Sequence, residues 1–153
     1  MLLYSFQTQE YKKILENSKG IVFFSTPHRG STLTKYGDTL NFMVRGTHAM
    51  KELRPDSIRL TELNSLFPVI APTVATLSFG ENAKSCFGSK YACIQVVSDD
   101  SANPGFEGPH HQFIKLDYNH REICKPINKE SIQYKATLNF IKQYAYKNKN
   151  NNL

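Results

Sequence analysis

The stretch Gly20-Ile-Val-Phe-Phe-Ser-Thr-Pro-His-Arg-Gly-Ser31 restricts the fold more than any other part of the chain. Its apolar run, Ile21 to Phe24, shows no alternation and stops abruptly at Thr26-Pro27-His28-Arg29-Gly30. A short unalternating run of this kind reads as a strand covered on both faces, the usual state of a strand in a parallel sheet. Polar residues at its end then lie at the carboxyl edge of the sheet, where α/β folds hold their ligands. The run Phe113-Ile-Lys-Leu116 leads into Asp117-Tyr-Asn-His120-Arg121-Glu122 in the same manner. Two strand ends therefore carry site-like chemistry.

A chain of 153 residues has room for one domain and a substantial core, and 40% hydrophobic with 21% charged residues is ordinary for a globular protein. No apolar run approaches a membrane span, and Met1-Leu-Leu-Tyr4 is too short for a signal core and has no basic lead-in. The net charge of +6 admits an acidic membrane surface as a partner. Nucleic acid is set aside, because no helix-turn-helix, aromatic RNA-binding or zinc-finger pattern accompanies the charge. Part of that charge lies in residues 147–153, read as a disordered polar tail. Cys86, Cys93 and Cys124 form no C-x-x-C pair, which reads as three small buried thiols in a reducing compartment.

Along the chain, Tyr11, Ile14 and Leu15 have helical spacing within Tyr4 to Lys19, and Gly20 suits the residue after a helix end. The strand Ile21–Ser25 follows. Ser31 to Met50 is mixed and reads as a helix or a cap segment. A helix opening at Pro55-Asp56 carries Leu60, Leu63, Leu66 and Phe67 on one face and is expected to stop before Pro68. Thr73–Phe79, Tyr91–Val97 and Phe113–Leu116 read as further strands, the first ending in Gly80-Glu81. Asn128 is placed as the cap of a helix reaching Tyr146, with Tyr134, Leu138, Ile141 and Ala145 as its buried stripe. Strands alternating with helices favour an open α/β sheet.

From the residues alone, His120 is a candidate acid–base group or an ordinary surface histidine. His28 and Arg29 either line a site mouth and contact a substrate, or turn the chain. His110 and His111 lack the helical spacing of a metal site, so no metal or other cofactor is expected. A Cys124–His120 nucleophilic pair is set aside.

Four segments occur in order: Ser25-Thr-Pro-His-Arg-Gly-Ser31, Leu77-Ser-Phe-Gly-Glu81, Val96-Val-Ser-Asp-Asp-Ser-Ala102 and Asn119-His-Arg-Glu-Ile-Cys-Lys-Pro126. With Lys51-Glu-Leu-Arg-Pro-Asp-Ser57 between the first two, the set resembles the C-terminal half of a lipase-like α/β-hydrolase, the serine active site-containing protein 1 family. The resemblance implies a partial α/β-hydrolase fold over residues 1–146, made of the C-terminal strands and helices of a mostly parallel sheet, with the upstream strands missing. It implies a Ser-acid-His triad acting on a lipid or other acyl ester, phospholipid handling, and a place at mitochondria or the endoplasmic reticulum.

His120 matches the family's histidine. Glu81 is the first choice for the acid, Asp100 the second and Asp99 a distant third, following the chain order nucleophile, acid, histidine. The family's G-x-S-x-G elbow does not occur in the sequence, so the chain by itself is expected not to catalyse. Ser25 and Ser31 lack the elbow context and read as turn residues. The alternative is a non-catalytic binding or scaffold module derived from a hydrolase.

Overall fold

The computed structural model describes residues 12–31, 52–55, 57–87 and 93–146. The elements are helix α1 (Lys12–Asn17), strand β1 (Gly20–Phe24), helix α2 (Ile58–Ile70), a 3-10 turn (Ala71–Thr73) and strand β2 (Ala75–Glu81). Strands β3 (Ser85–Cys86) and β4 (Cys93–Ile94), the short helix α3 (Asp99–Ala102), strand β5 (His111–Leu116) and helix α4 (Ile132–Ile141) follow, and a π turn (Lys142–Tyr146) ends the described chain. The tail 147–153, the cap segment within 32–51 and the first part of the opening helix lie outside the described residues.

Three strands form one sheet in the order β1-β2-β5, and both pairings are parallel. This is the expected α/β arrangement. Register sets Phe24 beside Phe79 and Glu81 beside Leu116, so the loops leaving all three strands emerge at the same sheet edge. The middle strand β2 is buried at every position. Period-two alternation gives the sheet two faces. Ala75, Leu77 and Phe79 join Leu116, Ile123 and Phe140 in one core, flanked by Val22, Phe24 and Ile114. On the other face Phe23 meets Phe67 of α2, which stacks on Phe106, while Phe113 packs against Val96, Val97 and Ala102.

Several elements depart from the sequence-based expectation. Helix α2 starts after Ser57, whose hydroxyl accepts from the Leu60 N–H. It runs through Pro68 to Ile70; in a last turn the missing proline N–H removes a single bond, and the Ala71 N–H still reaches the Phe67 carbonyl. Leu63 and Leu66 are exposed, because Phe67 makes the docking contact.

Helix α4 begins after Ser131 rather than Asn128. Its inward face carries Gln133, Ala136 and Phe140, continued by Tyr144 in the π turn, one residue round from the expected stripe, which leaves Leu138 and Ile141 exposed. Both stripes obey a 3.6 period, and the choice falls to Phe140, the large ring that fits over Gly20. Gly20 itself opens β1 and does not end a helix. A β-carbon there would stand 2.6 Å from Phe140 Cε1.

Of the expected strand Tyr91–Val97, residues 91–92 lie outside the described residues; Cys93–Ile94 is strand and pairs antiparallel with Ser85–Cys86 outside the main sheet, while Val96 and Val97 are not strand. That pairing sets Cys86 opposite Cys93, and they form a disulfide. Cys124 is an exposed free thiol. The reading of three buried thiols is thus corrected: cross-strand register, invisible in the spacing, brings two of them together.

Gly20→Ala is expected to destabilise the fold by about 1–3 kcal/mol through overpacking against Phe140. Urea unfolding of the variant beside the parent checks this, and Phe140→Leu in the same chain should recover part of the loss.

Candidate active site

The site lies at the shared carboxyl edge of β1, β2 and β5. Glu81, the last residue of the central strand, has a fully buried side chain (0% exposed). A carboxylate can only accept hydrogen bonds, and burying its charge is costly unless donors surround it. Four donors do so. Val96 N–H reaches Oε1 at 2.5 Å and Val97 N–H at 3.1 Å, while Ser25 Oγ and His120 Nδ1 each stand 2.7 Å from Oε2. This explains why the expected third strand stops at Ile94: the two valine N–H groups bind the carboxylate and not a neighbouring strand.

Burial by itself pushes the Glu81 carboxyl up. Hydrogen bonds from His120, Ser25 and Val97, with the His120 charge, outweigh it and hold the group below its ordinary value. The carboxylate is therefore the anion at neutral pH, and His120 Nδ1 must carry the proton in their bond. Nε2 is left as the nitrogen able to take a proton from a reacting group.

His120 is presented by a turn after β5. Asn119 Oδ1 accepts from the N–H groups of Arg121 and Glu122, and Asn119 Nδ2 donates to Glu122 Oε2. Ile123, 1% exposed, anchors the same turn in the core. The histidine is thus held between a local cap and a buried aliphatic side chain while 37% of its own side chain stays exposed.

The other two acid candidates lie elsewhere. Asp100 is in α3 with its side chain 87% exposed and forms an ion pair with Arg29 at 3.8 Å. Asp99 pairs with Lys115 and accepts from Gln95. Arg29 donates through Nη1 to the carbonyls of Asp100 and Asn103. His28 packs edge-on against Phe23, and its backbone N–H donates to the Ser101 carbonyl. Burial first, and the Arg29 charge second, lower the His28 pKa to about 4, so its ring is neutral at physiological pH. Both residues border a cavity of about 240 Å³ shared with Pro55, Leu60, Thr61 and Asn64. His110 and His111 part company: His111 Nδ1 contacts Thr76 Oγ1 and His110 Nδ1 contacts Tyr144 OH.

Sequence reading missed the bonds that join these segments. Ser101 Oγ donates to the Gly30 carbonyl at 2.6 Å and accepts the Arg29 N–H, which binds the Thr26–Gly30 turn to α3. Gly30 needs its φ of +92°, and a β-carbon there would sit 2.7 Å from Pro55 Cα. Ser31, expected as a simple turn residue, is buried and donates to the Val96 carbonyl at 2.7 Å, which fastens the segment that grips Glu81. Asn119 beside a histidine was the one visible signal, since asparagine commonly caps a turn.

Protein SERAC1 of Bos taurus is 35% identical over 153 residues, 99% of this chain and 23% of its own length. The human SERAC1 is 33% identical over the same extent, and that of Danio rerio is 34% identical over 143 residues. This chain is related to SERAC1. It spans less than a quarter of these SERAC1 relatives, 21–23% of their length. No protein-family profile and no solved structure matches it. Among the described residues no helix is long and apolar enough to cross a membrane.

Because the folded Glu81 ionises more readily than an ordinary carboxyl, its charge contributes stability in full above the unfolded value of about 4.3. That contribution is lost as pH falls through the lower folded value. Urea unfolding at descending pH is expected to show the loss, and Glu81→Gln to abolish it. At neutral pH the same variant should cost about 1–3 kcal/mol or more, since donors aimed at a carboxylate meet an amide.

Proposed function

We propose that Glu81 and His120 are the acid and the base of a serine ester hydrolase of the lipase type. The nucleophilic serine and its oxyanion donors come from polypeptide outside these 153 residues, which contain no G-x-S-x-G. The observation that carries this reading is the 2.7 Å contact from His120 Nδ1 to a carboxylate that is otherwise sealed from water. It is the geometry by which an acid orients an imidazole and steadies its positive charge.

In that chemistry His120 Nε2 takes the proton of the serine hydroxyl as its oxygen bonds to the ester carbon. The imidazolium, balanced by Glu81, then gives the proton to the departing alkoxide. Water repeats the cycle on the acyl-enzyme and releases the acid. A lipid acyl ester is the substrate class that the resemblance favours, phospholipids first, with a membrane surface at mitochondria or the endoplasmic reticulum as the setting. His28 and Arg29 would serve at the mouth through the cavity they border. Arg29, held by two carbonyls, suits a fixed charge better than a mobile contact.

A non-catalytic module is the second reading. Exposed Ile58, Leu63, Leu66 and Val69 on α2 favour it, since they offer apolar surface for a partner.

The assay is hydrolysis of a short-chain nitrophenyl ester. The chain alone is expected to give no turnover. Joined to the G-x-S-x-G segment that the resemblance sets upstream, it should hydrolyse the ester and lose roughly 10³-fold or more in kcat with His120→Ala. Turnover by the chain alone, with labelling by a fluorophosphonate and loss in His120→Ala, would overturn the external nucleophile. An extended chain that gives no turnover would favour the binding module.

A further inference from the structure

Ser25 is built in a way that a turn residue does not need. Its φ is +45°, the only positive value at a non-glycine position among the described residues. Serine enters this left-handed region at a cost, and glycine would sit there freely. The side chain is 1% exposed, so the cost is not offset by solvation of the hydroxyl. The conformation achieves a pair of bonds. The Ser25 N–H donates to the Phe79 carbonyl at 2.8 Å, prolonging the β1–β2 ladder by one residue. The hydroxyl then turns under β2 and meets Glu81 Oε2 at 2.7 Å, the same oxygen that holds His120 Nδ1.

We propose that Ser25 is a positioning residue of this site: its hydroxyl fixes the Glu81 oxygen that receives His120 Nδ1–H, and so sets the tautomer and orientation of the imidazole. This rests on reading Glu81 and His120 as the acid–base pair. The two valine N–H groups both bind Oε1 and leave Oε2 without a backbone anchor. Ser25 supplies that anchor. Without it the carboxylate keeps one fixed oxygen, and the oxygen facing His120 is free to rotate about the Oε1 contacts. Ser25 is not a rival nucleophile, since its hydroxyl is enclosed and donates to the carboxylate rather than to Nε2 of a base.

The two roles separate in Ser25→Gly, which keeps the left-handed backbone open and removes the hydroxymethyl group. Nitrogen NMR of the ¹⁵N-labelled His120 ring reads the tautomer, and the Glu81 carboxyl carbon reads its titration. In the parent chain His120 is expected as the Nδ1–H tautomer. In Ser25→Gly the ring should shift toward the Nε2–H tautomer, and the Glu81 midpoint should move upward, because the anion has lost a donor. Ser25→Ala should produce the same two changes while keeping the strained φ, so it is expected to be less stable than Ser25→Gly.

If Ser25 is only a turn residue, both Ser25→Gly and Ser25→Ala leave the two signals in place, and the proposal falls. Should neither variant fold, the parent chain decides. A slowly exchanging Ser25 hydroxyl proton that is lost when Glu81 is protonated supports the proposal, and a freely exchanging one overturns it. None of these readouts needs turnover. An inactive extended chain with a responsive His120 ring would therefore sink the hydrolase reading alone, and an active chain with an unresponsive ring would sink the role of Ser25 alone.

Discussion

A carboxylate taken wholly out of water must be met by donors or it will not stay charged, and the Glu81 side chain is wholly out of water. Its donors come from three separate places: the end of β1, the segment after β4 and the turn after β5. None of these segments can shift without leaving a buried group unpaired. The parallel sheet makes the meeting possible, because it sends three strand ends to one edge. The carboxylate in turn dictates how each of them continues.

That requirement accounts for features that look unrelated along the chain. The stretch Val96-Val97 resembles a strand and is not one, because its N–H groups face the carboxylate. Ser31 in a loop and Ser101 in the short helix α3 are small polar residues, yet both are buried and bridge segments far apart in sequence. Through them the Thr26–Gly30 turn and the Val96–Ala102 segment fold as one body around Glu81. Two of the ordered motifs of the sequence are thus two sides of one joint, and Arg29 with Asp100 lies on its outer surface.

Glu81 and His120 meet at the carboxyl edge of the sheet, where the carboxylate is fully buried. Of the other residues with possible chemistry, Arg29 is held by backbone carbonyls and Asp100 lies exposed in an ion pair with it. Asp100 and Glu81 were rivals in the sequence because both stand where a strand or segment ends in acid. A one-dimensional reading has no measure of which of them is buried.

The α/β class, the strands expected at Ile21–Ser25 and Thr73–Phe79 and found at Gly20–Phe24 and Ala75–Glu81, and the placing of His120 after a strand were legible in the sequence. The reason is that burial of an unbroken apolar run is a local demand, stated by the residues themselves. The face of α4 turned inward, the pairing of Cys86 with Cys93, the passage of α2 through Pro68 and the role of Ser25 were decided by the tertiary structure. Each depends on a partner many residues away: a ring that needs the space above Gly20, a facing strand, a docking phenylalanine, a carboxylate short of a donor. Periodicity and propensity describe how a segment relates to its own neighbours along the chain. They are silent on which distant group completes a hydrogen bond or fills a gap, and at Glu81 that distant group is what makes the site.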